Sequence, residues 1–428
     1  TSRNKYESSP DESHIQWAQV DFFSRQQSLS ALKDIHTAIY LVHSMLPKSR
    51  LFQGEFYDLD LLMADNFAFA AKKNGVKKII FLSGIIPDDE DLSYHLKSRL
   101  EVEQTLSQYD TAFTSIRTGI IVGAGGSSYT ILENLVKRLP MMICPQWTLN
   151  ESQPVSLDFV ISWIQKILEN PSKEKKEVIN LCGKEVLTYK KMILDTARAI
   201  HRKPFIINVP VFSPRFSKLW VTIFGGSKYS LVSPLIDSLK HSLIIPDKQI
   251  RKGAKENRSF FHMAQEAKNT KPLELPKKAI ATHSGNKNVR SIQRLTCPPG
   301  KSAKWVANHY ALWLQDNLGF ILNVDYKESK IYFYLLNIKK KPLLVLTHAE
   351  EKSTENRRIY FITEGLLVKK EKRGWLEFRK IFNGKFIITA IHDYHPSLPW
   401  YIYRYTQAIV HLLIMKRFGF FLADYKDP

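Results

Sequence analysis

Three places in the 428 residues gather side chains able to do chemistry. The first is the stretch Ser93–Tyr109, where His95, Arg99 and Glu103 recur every fourth residue and would share one helix face. Imidazole ionises near neutral pH and can shuttle a proton. Guanidinium keeps its charge and offers an anion a fork of donors. The plainer reading of the same spacing is an Arg99–Glu103 ion pair one turn apart. The second place is Gly119 to Ser128 (GIIVGAGGSS), between a strand and a helix. It reads as a phosphate cradle, as a serine-capped helix N-terminus touching an anion or substrate, or as a plain turn. The third is His392-Asp393-Tyr394-His395, all of types that bind metals or share protons. Neighbours at a strand end face opposite ways and no third ligand stands near, so hydrogen bonding before Pro396 is expected there and no metal.

The elements that position these residues fall into two grammars. From Ile15 onward, short apolar runs alternate with amphipathic helices. Ile15–Val20, Ala38–Val42, Lys77–Leu82 and Ala112–Val122 read as strands, and Ser28–Lys33, Tyr57–Asn74 and Ser93–Tyr109 as helices. Strands apolar throughout, separated by helices, predict a parallel sheet covered on both faces. Further on, Asp158–Glu169 and Tyr189–His201 read as helices, Val178–Leu181 and Phe205–Pro210 as strands, and 211–245 as small helices of a capping lobe. Residues 1–245 are expected as one domain. Residues 246–288 hold ten Lys/Arg against four Asp/Glu and read as a basic linker.

Residues 289–428 read differently. A helix (Ser302–Asn317) precedes six strand-like runs, Phe320–Tyr326, Lys330–Ile338, Pro342–His348, Arg358–Lys369, Gly374–Phe382 and Lys385–Tyr394. Asn383-Gly384 supplies a hairpin signal. A long helix, about Leu398–Leu422, closes the chain, with Trp400, Tyr401, Tyr403 and Tyr405 crowding its start. One antiparallel sheet with a helix at each end is an α+β layer, and its ordering resembles helix-grip folds. Such a sheet gripping a helix leaves room for a small hydrophobic ligand.

Composition narrows the classes. Lys+Arg exceed Asp+Glu by 62 to 41, a net charge of +21, which favours anionic partners. Hydrophobic residues at 44% exclude a wholly disordered chain. No nucleic-acid motif accompanies the charge, and no nucleic acid is expected. The three cysteines are far apart and form no CxxC, which suits a reducing, cytoplasmic setting. No run of 18 uncharged apolar residues occurs, so no simple spanning helix is expected. Peripheral membrane association has one advocate, the closing helix with IVHLLIMKRFGFFLA, although a helix that fills a sheet is apolar for the same reason.

The succession VDFFSRQQSLSALKDIHTAIYLVHS, ADNFAFAAKKNGVKKIIFLSG, HLKSRLEVEQTL and FTSIRTGIIVG resembles an atypical short-chain dehydrogenase/reductase domain. Its flavour is that of bacterial NAD(P)-binding proteins related to the nucleotide-binding accessory subunit of respiratory complex I. LPMMICPQW and QPVSLDFV extend the likeness over roughly residues 15–245. QRLTCPPGKSAKWVA, FITEGLL, LEFRKIF and AIHDYHPSLPWYIYRYTQAIVHLLIMKRFG resemble the uncharacterised domain that follows in those proteins.

The resemblance implies an α/β fold, an incomplete doubly wound, Rossmann-like parallel sheet whose first strands are missing, plus the antiparallel helix-grip-like domain. The family holds the dinucleotide pyrophosphate on a GxxGxxG turn after its first strand. Nothing before Ile15 supplies that turn, so a fragment is expected whose binding of NAD or NADP is weak or absent. By the resemblance, Asp21 and Phe22 would meet the adenine, with a turn or cap aspartate as the plainer role. Leu41, Val42 and His43 would pack on the adenine ribose, or be ordinary core. Ser83 fits the family's serine. The YxxxK step fails, because Tyr94 and Lys97 are three apart; His95 and Arg99 stand at the required spacing. The catalytic set implied is Ser83, His95 and Arg99 in an NAD(P)-dependent oxidoreductase. The alternative is a non-catalytic nucleotide-binding accessory or membrane-peripheral assembly protein.

Overall fold

One unbroken apolar run, Ile79–Leu82, lies inside the sheet of the N-terminal half, and the arrangement shows why. The computed structural model describes residues 15–43, 51–89, 91–170, 174–209, 214–226, 229–272, 289–336, 341–369 and 374–426. The chain divides into two compact units, one of residues 1–46 and 63–281, the other of residues 47–62 and 282–428.

Unit 1 is built on a five-stranded parallel sheet, β1 (Thr37–Tyr40), β2 (Lys78–Gly84), β3 (Ala112–Thr118), β4 (Lys176–Gly183) and β5 (Lys255–Glu256), in that spatial order. Its helices are α1 (Arg25–Ala31), α2 (Phe56–Lys73), α3 (Tyr94–Ser107), α4 (Ser127–Arg138), α5 (Leu157–Glu169), α6 (Tyr189–Ala199), α7 (Pro214–Gly225), α8 (Tyr229–Ser238) and α9 (Phe260–Asn269); the first turns of α2 group with unit 2. On one face Ile80, Ile116 and Ile179 pack with Val160, Trp163 and Ile167 of α5. On the other, Tyr40 meets Phe67 of α2 edge-on at 4.8 Å. Both faces of β2 are covered, so both of its side-chain rows are apolar from Ile79 to Leu82. This is the Rossmann-like parallel sheet, and its strand order follows chain order throughout the described strands. A second cluster joins α4, α6 and α9 around Trp147, Met192 and Phe260, beside a short parallel pair, Met141–Pro145 with Phe205–Val209.

Two expectations shift in detail. Residues 15–20 form no strand, and within them only Val20 is buried. The segment expected as linker carries β5 and α9; Phe260, Met263 and Ala264 of α9 are buried in unit 1 while Glu266 and Lys268 are exposed, and Glu256 of β5 is buried, accepting from Ser156 Oγ at 2.6 Å.

Unit 2 is an antiparallel sheet of seven strands. In spatial order they are β7 (Leu322–Lys327), β8 (Lys330–Leu335), β9 (Leu344–His348), β10 (Arg357–Glu364), β11 (Trp375–Ile381), β12 (Phe386–Tyr394) and β6 (Val289–Thr296); Leu51–Gln53 adds an eighth strand parallel to β6. β6 escapes the sequence reading because charges interrupt it, and the structure pairs them. Arg290 meets Asp393 at 3.1 Å and Arg294 meets Asp58 at 2.7 Å. α10 (Ala303–Leu318) and α12 (Gln407–Asp424) cover one sheet face, with Phe418 against Tyr310 and Trp313 at ring distances of 5.0 and 5.4 Å. The closing helix is two helices. α11 (Trp400–Tyr405) ends where the Thr406 hydroxyl donates to the Ile402 carbonyl, a side-chain bond that competes with helix continuation. By length and composition the span Trp400–Asp424 is long and apolar enough to cross a membrane, and 22% of its most apolar stretch is buried.

The opposite row of β11 holds Glu377, fully buried. Its carboxylate accepts from Arg357 Nε at 2.7 Å and Arg379 Nε at 2.6 Å, with His392 Nε2 at 3.4 Å. Burial would raise its pKa; the two guanidiniums override this and hold the carboxyl well below its usual range. A depressed carboxyl stabilises the fold above the unfolded-state pKa and loses that contribution as pH falls through the folded value. Glu377→Ala should cost about 3–5 kcal/mol, by removing the buried carboxylate that the two guanidiniums share. Denaturant unfolding of the full chain at pH 7 checks this. The gap between variant and wild type should shrink as the medium is acidified.

Candidate functional site

The carboxyl ends of β1 and β2 carry His43 and Ser83, two of the residues singled out in the sequence. Ser83 is the sixth residue of β2, buried, and its Oγ has no hydrogen-bond partner among the described residues. Pairing of β1 stops at Tyr40 opposite Phe81, two residues short of Ser83. Leu41, the first residue past β1, is 63% exposed; Val42 and His43 are partly buried.

α3 starts at Tyr94 because Ser93 caps it, accepting from the Leu96 N–H at 3.3 Å. Its first turn delivers His95 to His43. The two Nε2 atoms lie 3.3 Å apart and the rings stack at 5.4 Å and 25°. His95 Nδ1 lies 3.2 Å from Ser238 Oγ on α8, and Ser238 Oγ is 3.0 Å from Ser93 Oγ. Ser238 also donates to the Pro234 carbonyl at 3.0 Å. A carbonyl can only accept, which commits the Ser238 proton and makes Oγ an acceptor for the proton on His95 Nδ1. In the neutral pair His95 Nε2 then accepts from His43 Nε2–H. The result is a relay from His43 through His95 to Ser238.

Arg99 is buried one turn on, with its guanidinium carbon 5.3 Å from the centroid of Phe81. Glu103 takes its bonds from the sheet, accepting from Ser115 Oγ at 2.6 Å and from Arg117 Nε and Nη2 at 3.0 and 2.6 Å. Tyr94 is exposed. Asp21 sits in a turn before α1, where its Oδ1 accepts from the Phe23 N–H at 3.1 Å and Ser24 takes the cap. Phe22 is buried at 5.6 Å from the Phe67 ring.

The glycines between 119 and 126 have packing reasons. A Cβ on Gly119 would fall 2.6 Å from the Gln153 carbonyl oxygen, and one on Gly123 2.7 Å from Leu157 Cβ. Gly126, and no serine, stands at the N-cap of α4, without a side-chain bond. At the third sequence candidate, His392 stacks on Trp375 at 4.7 Å, and the His395 ring meets the Asp393 carbonyl through Nδ1 at 2.8 Å. Sequence reasoning missed Ser238 and the pairing of His43 with His95. Neither has a local signal, because the partners lie far apart in the chain.

No family model matches the chain. Over 133 residues it is 29% identical to the auxiliary protein GraX of Staphylococcus aureus, a stretch covering 31% of this chain and 42% of that protein. The chain therefore spans less than half the length of this curated relative. It is similar to a solved nucleoside-diphosphate-sugar epimerase from Staphylococcus aureus, with a TM-score of 0.47 and 15% identity over 61% of this chain and 87% of that one. It is also similar to an NADPH-dependent quinone oxidoreductase from Escherichia coli complexed with NADPH, at 0.44 and 16% over 57% and 81%. A Citrobacter triphenylmethane reductase complexed with NADP(H) gives 0.44 and 14% over 60% and 85%.

Two substitutions separate relay from packing. Ser238→Ala removes the buried hydroxyl that faces His95 Nδ1 and Ser93 Oγ and should cost about 1–3 kcal/mol in denaturant unfolding. Ser83→Ala removes a hydroxyl that has no described partner, and should leave stability within about 0.5 kcal/mol of wild type.

Proposed function

We propose that unit 1 binds a nicotinamide dinucleotide in the manner of an atypical short-chain dehydrogenase/reductase and acts as an oxidoreductase on a carbonyl substrate. The observation that carries this is the buried Ser83 hydroxyl without a described partner. It stands at the carboxyl end of a parallel strand, where open α/β sheets bind ligands. A buried donor kept at such a place suits a partner that arrives from outside.

The residues present suit part of the cofactor. Leu41 offers exposed apolar surface beside the partly buried Val42 and His43 for the adenine ribose, and Asp21 with the backbone of Phe22 would meet the adenine. Arg99 would hold a ribose or phosphate oxygen through its fork of donors. A GxxGxxG turn is not among the residues of this chain, so weak affinity is the expectation. When bound, a nicotinamide dinucleotide supplies or accepts hydride. The chain's own part is to place Ser83 Oγ as a donor to the substrate oxygen. The His43–His95 pair would hold a proton at the facing Nε2 atoms, with Ser238 fixing the tautomer.

A second reading, a nucleotide-binding accessory protein without turnover, is favoured by the word auxiliary in the name of its Staphylococcus aureus relative. NADPH oxidation with a panel of small carbonyls separates the two, since only the enzyme consumes the nucleotide. For binding, fluorescence titration of the full chain with NADPH should give weak, saturable association. Arg99→Ala should weaken it by about 1.5–3 kcal/mol, measured at a temperature where the variant is folded because a buried side chain is removed. A variant that binds like wild type assigns Arg99 to packing on Phe81.

A further inference from the structure

Unit 2 encloses a cavity of about 550 Å³ between its sheet and its two long helices. That is the size of a pocket for a small organic ligand. Leu346, Ile362 and Leu376 line it from the sheet, and Trp313 and Leu318 from α10. The remaining wall is one stripe of α12, Gln407, Val410, His411, Ile414 and Arg417, at helical spacing.

Three features distinguish this space from a packing fault. First, a polar group is left waiting. Gln407 donates through Nε2 to the Tyr394 hydroxyl at 2.7 Å, while its buried Oε1 has no partner among the described residues. A buried amide oxygen without a donor is costly, so a donor that enters the space, such as a water beyond the end of a bound chain, accounts for it better than a dry and permanently empty cavity. Second, the lining has one cation. Burial pushes His411 down to about 4, so it is neutral, whereas Arg417 is exposed and has no ion-pair partner among the described residues. Gln407 and Arg417 lie ten residues apart, about 15 Å along the helix, so polar groups mark both ends of an apolar track. Third, the way in is apolar. Val410 and Leu413, both lining residues, are 53% and 56% exposed. The strand ends at that edge of the sheet present Phe320, Leu336 and Leu366, exposed by 73%, 48% and 54%. Their neighbours Ile321 and Leu367 line the cavity, and backbone bonds join Leu336 to Ile321 and Leu366 to Pro342. Exposed apolar residues around an apolar opening mark a binding site.

We propose that this cavity binds a single-chain anionic amphiphile. The hydrocarbon lies along the α12 stripe and the anionic head sits at Arg417. Carboxylate and phosphate heads share this chemistry, and the molecule can come from solution or from a bilayer.

The test is a titration of the full chain with octanoate, dodecanoate and hexadecanoate below their micelle concentrations, by displacement of a dansyl-labelled undecanoate. One site per chain is expected, weakening about fourfold for each methylene removed. Hexadecyltrimethylammonium should bind at least tenfold more weakly than hexadecanoate. Arg417→Ala should weaken hexadecanoate about three- to tenfold and remove the preference for an anionic head. Ile362→Trp should fill the cavity and abolish binding. Leu413→Asp, at an exposed position where melting should be unchanged, should weaken it whatever Ile362→Trp does to folding. Absence of saturable binding to the folded chain overturns the proposal, as does affinity indifferent to chain length or unchanged in Leu413→Asp. Hexadecanoate is also offered in phosphatidylcholine vesicles. Protein that leaves the vesicles with the acid bound supports the cavity and identifies a bilayer source. Protein that floats with the vesicles and extracts none assigns the apolar rim to a membrane surface and overturns it.

Discussion

A strand covered on both faces has nowhere to put an unmatched charge except at its ends. β2 and β3 are in that position, and the layout of unit 1 follows from it. β2 is apolar in both rows from Ile79 to Leu82, β3 buries the hydroxyls of Thr114 and Ser115 among its apolar residues, and the backbone of both is satisfied by neighbours running the same way. Polar side chains collect where the strands stop. Ser83 lies one residue before the end of β2, and His43 follows the end of β1. Where a charge does enter the buried layer it is matched, as Arg117 of β3 is by Glu103 of α3. That ion pair ties the helix bearing His95 and Arg99 to the strand beside Ser83 and fixes the rotation of α3 about its axis.

Unit 2 meets the same constraint with an antiparallel sheet, and its faces divide the work. One row of β11, Leu376 and Phe378, belongs to the apolar core under α10 and α12. The alternate row carries Glu377 and Arg379, buried as a charge cluster with Arg357 and His392. Buried ion pairs of this kind contribute little net stability but are costly to break. The cluster therefore acts more as a register pin than as glue: a one-residue slip of β11 would move Glu377 into the apolar core.

Much of this was legible in the sequence. The parallel sheet showed in the apolar runs AIYLV and IIFL; the second is buried on both faces, while Ile39 and Leu41 of the first are exposed. The six C-terminal strands from 322 to 394 and the helix capped by Ser302 appeared nearly at their observed bounds. What stayed hidden depended on partners distant in the chain. β6 looked too charged for a strand until Asp58 and Asp393 supplied its counter-ions. The segment around Phe260 looked like linker because its lysines and arginines outnumber the three apolar residues that bury it. At the candidate site the spacing of His95 and Arg99 was visible. The contacts that give His95 its tautomer come from α8 and from the end of β1, and no local pattern announces them.

The pairing of β6 with β12 has a temporal side. β6 is the strand of unit 2 that opens the segment after residue 282, yet its antiparallel partner is the last strand made, with Val289 opposite Tyr394. During synthesis β6 must wait, with its edge unpaired, until about a hundred further residues have been added. Long-range pairing of this kind slows folding and leaves a nascent chain open to association. The alternating Arg290 and Arg294 then serve the unfinished chain as well as the folded one. Charges on a waiting strand discourage it from pairing with the wrong neighbour.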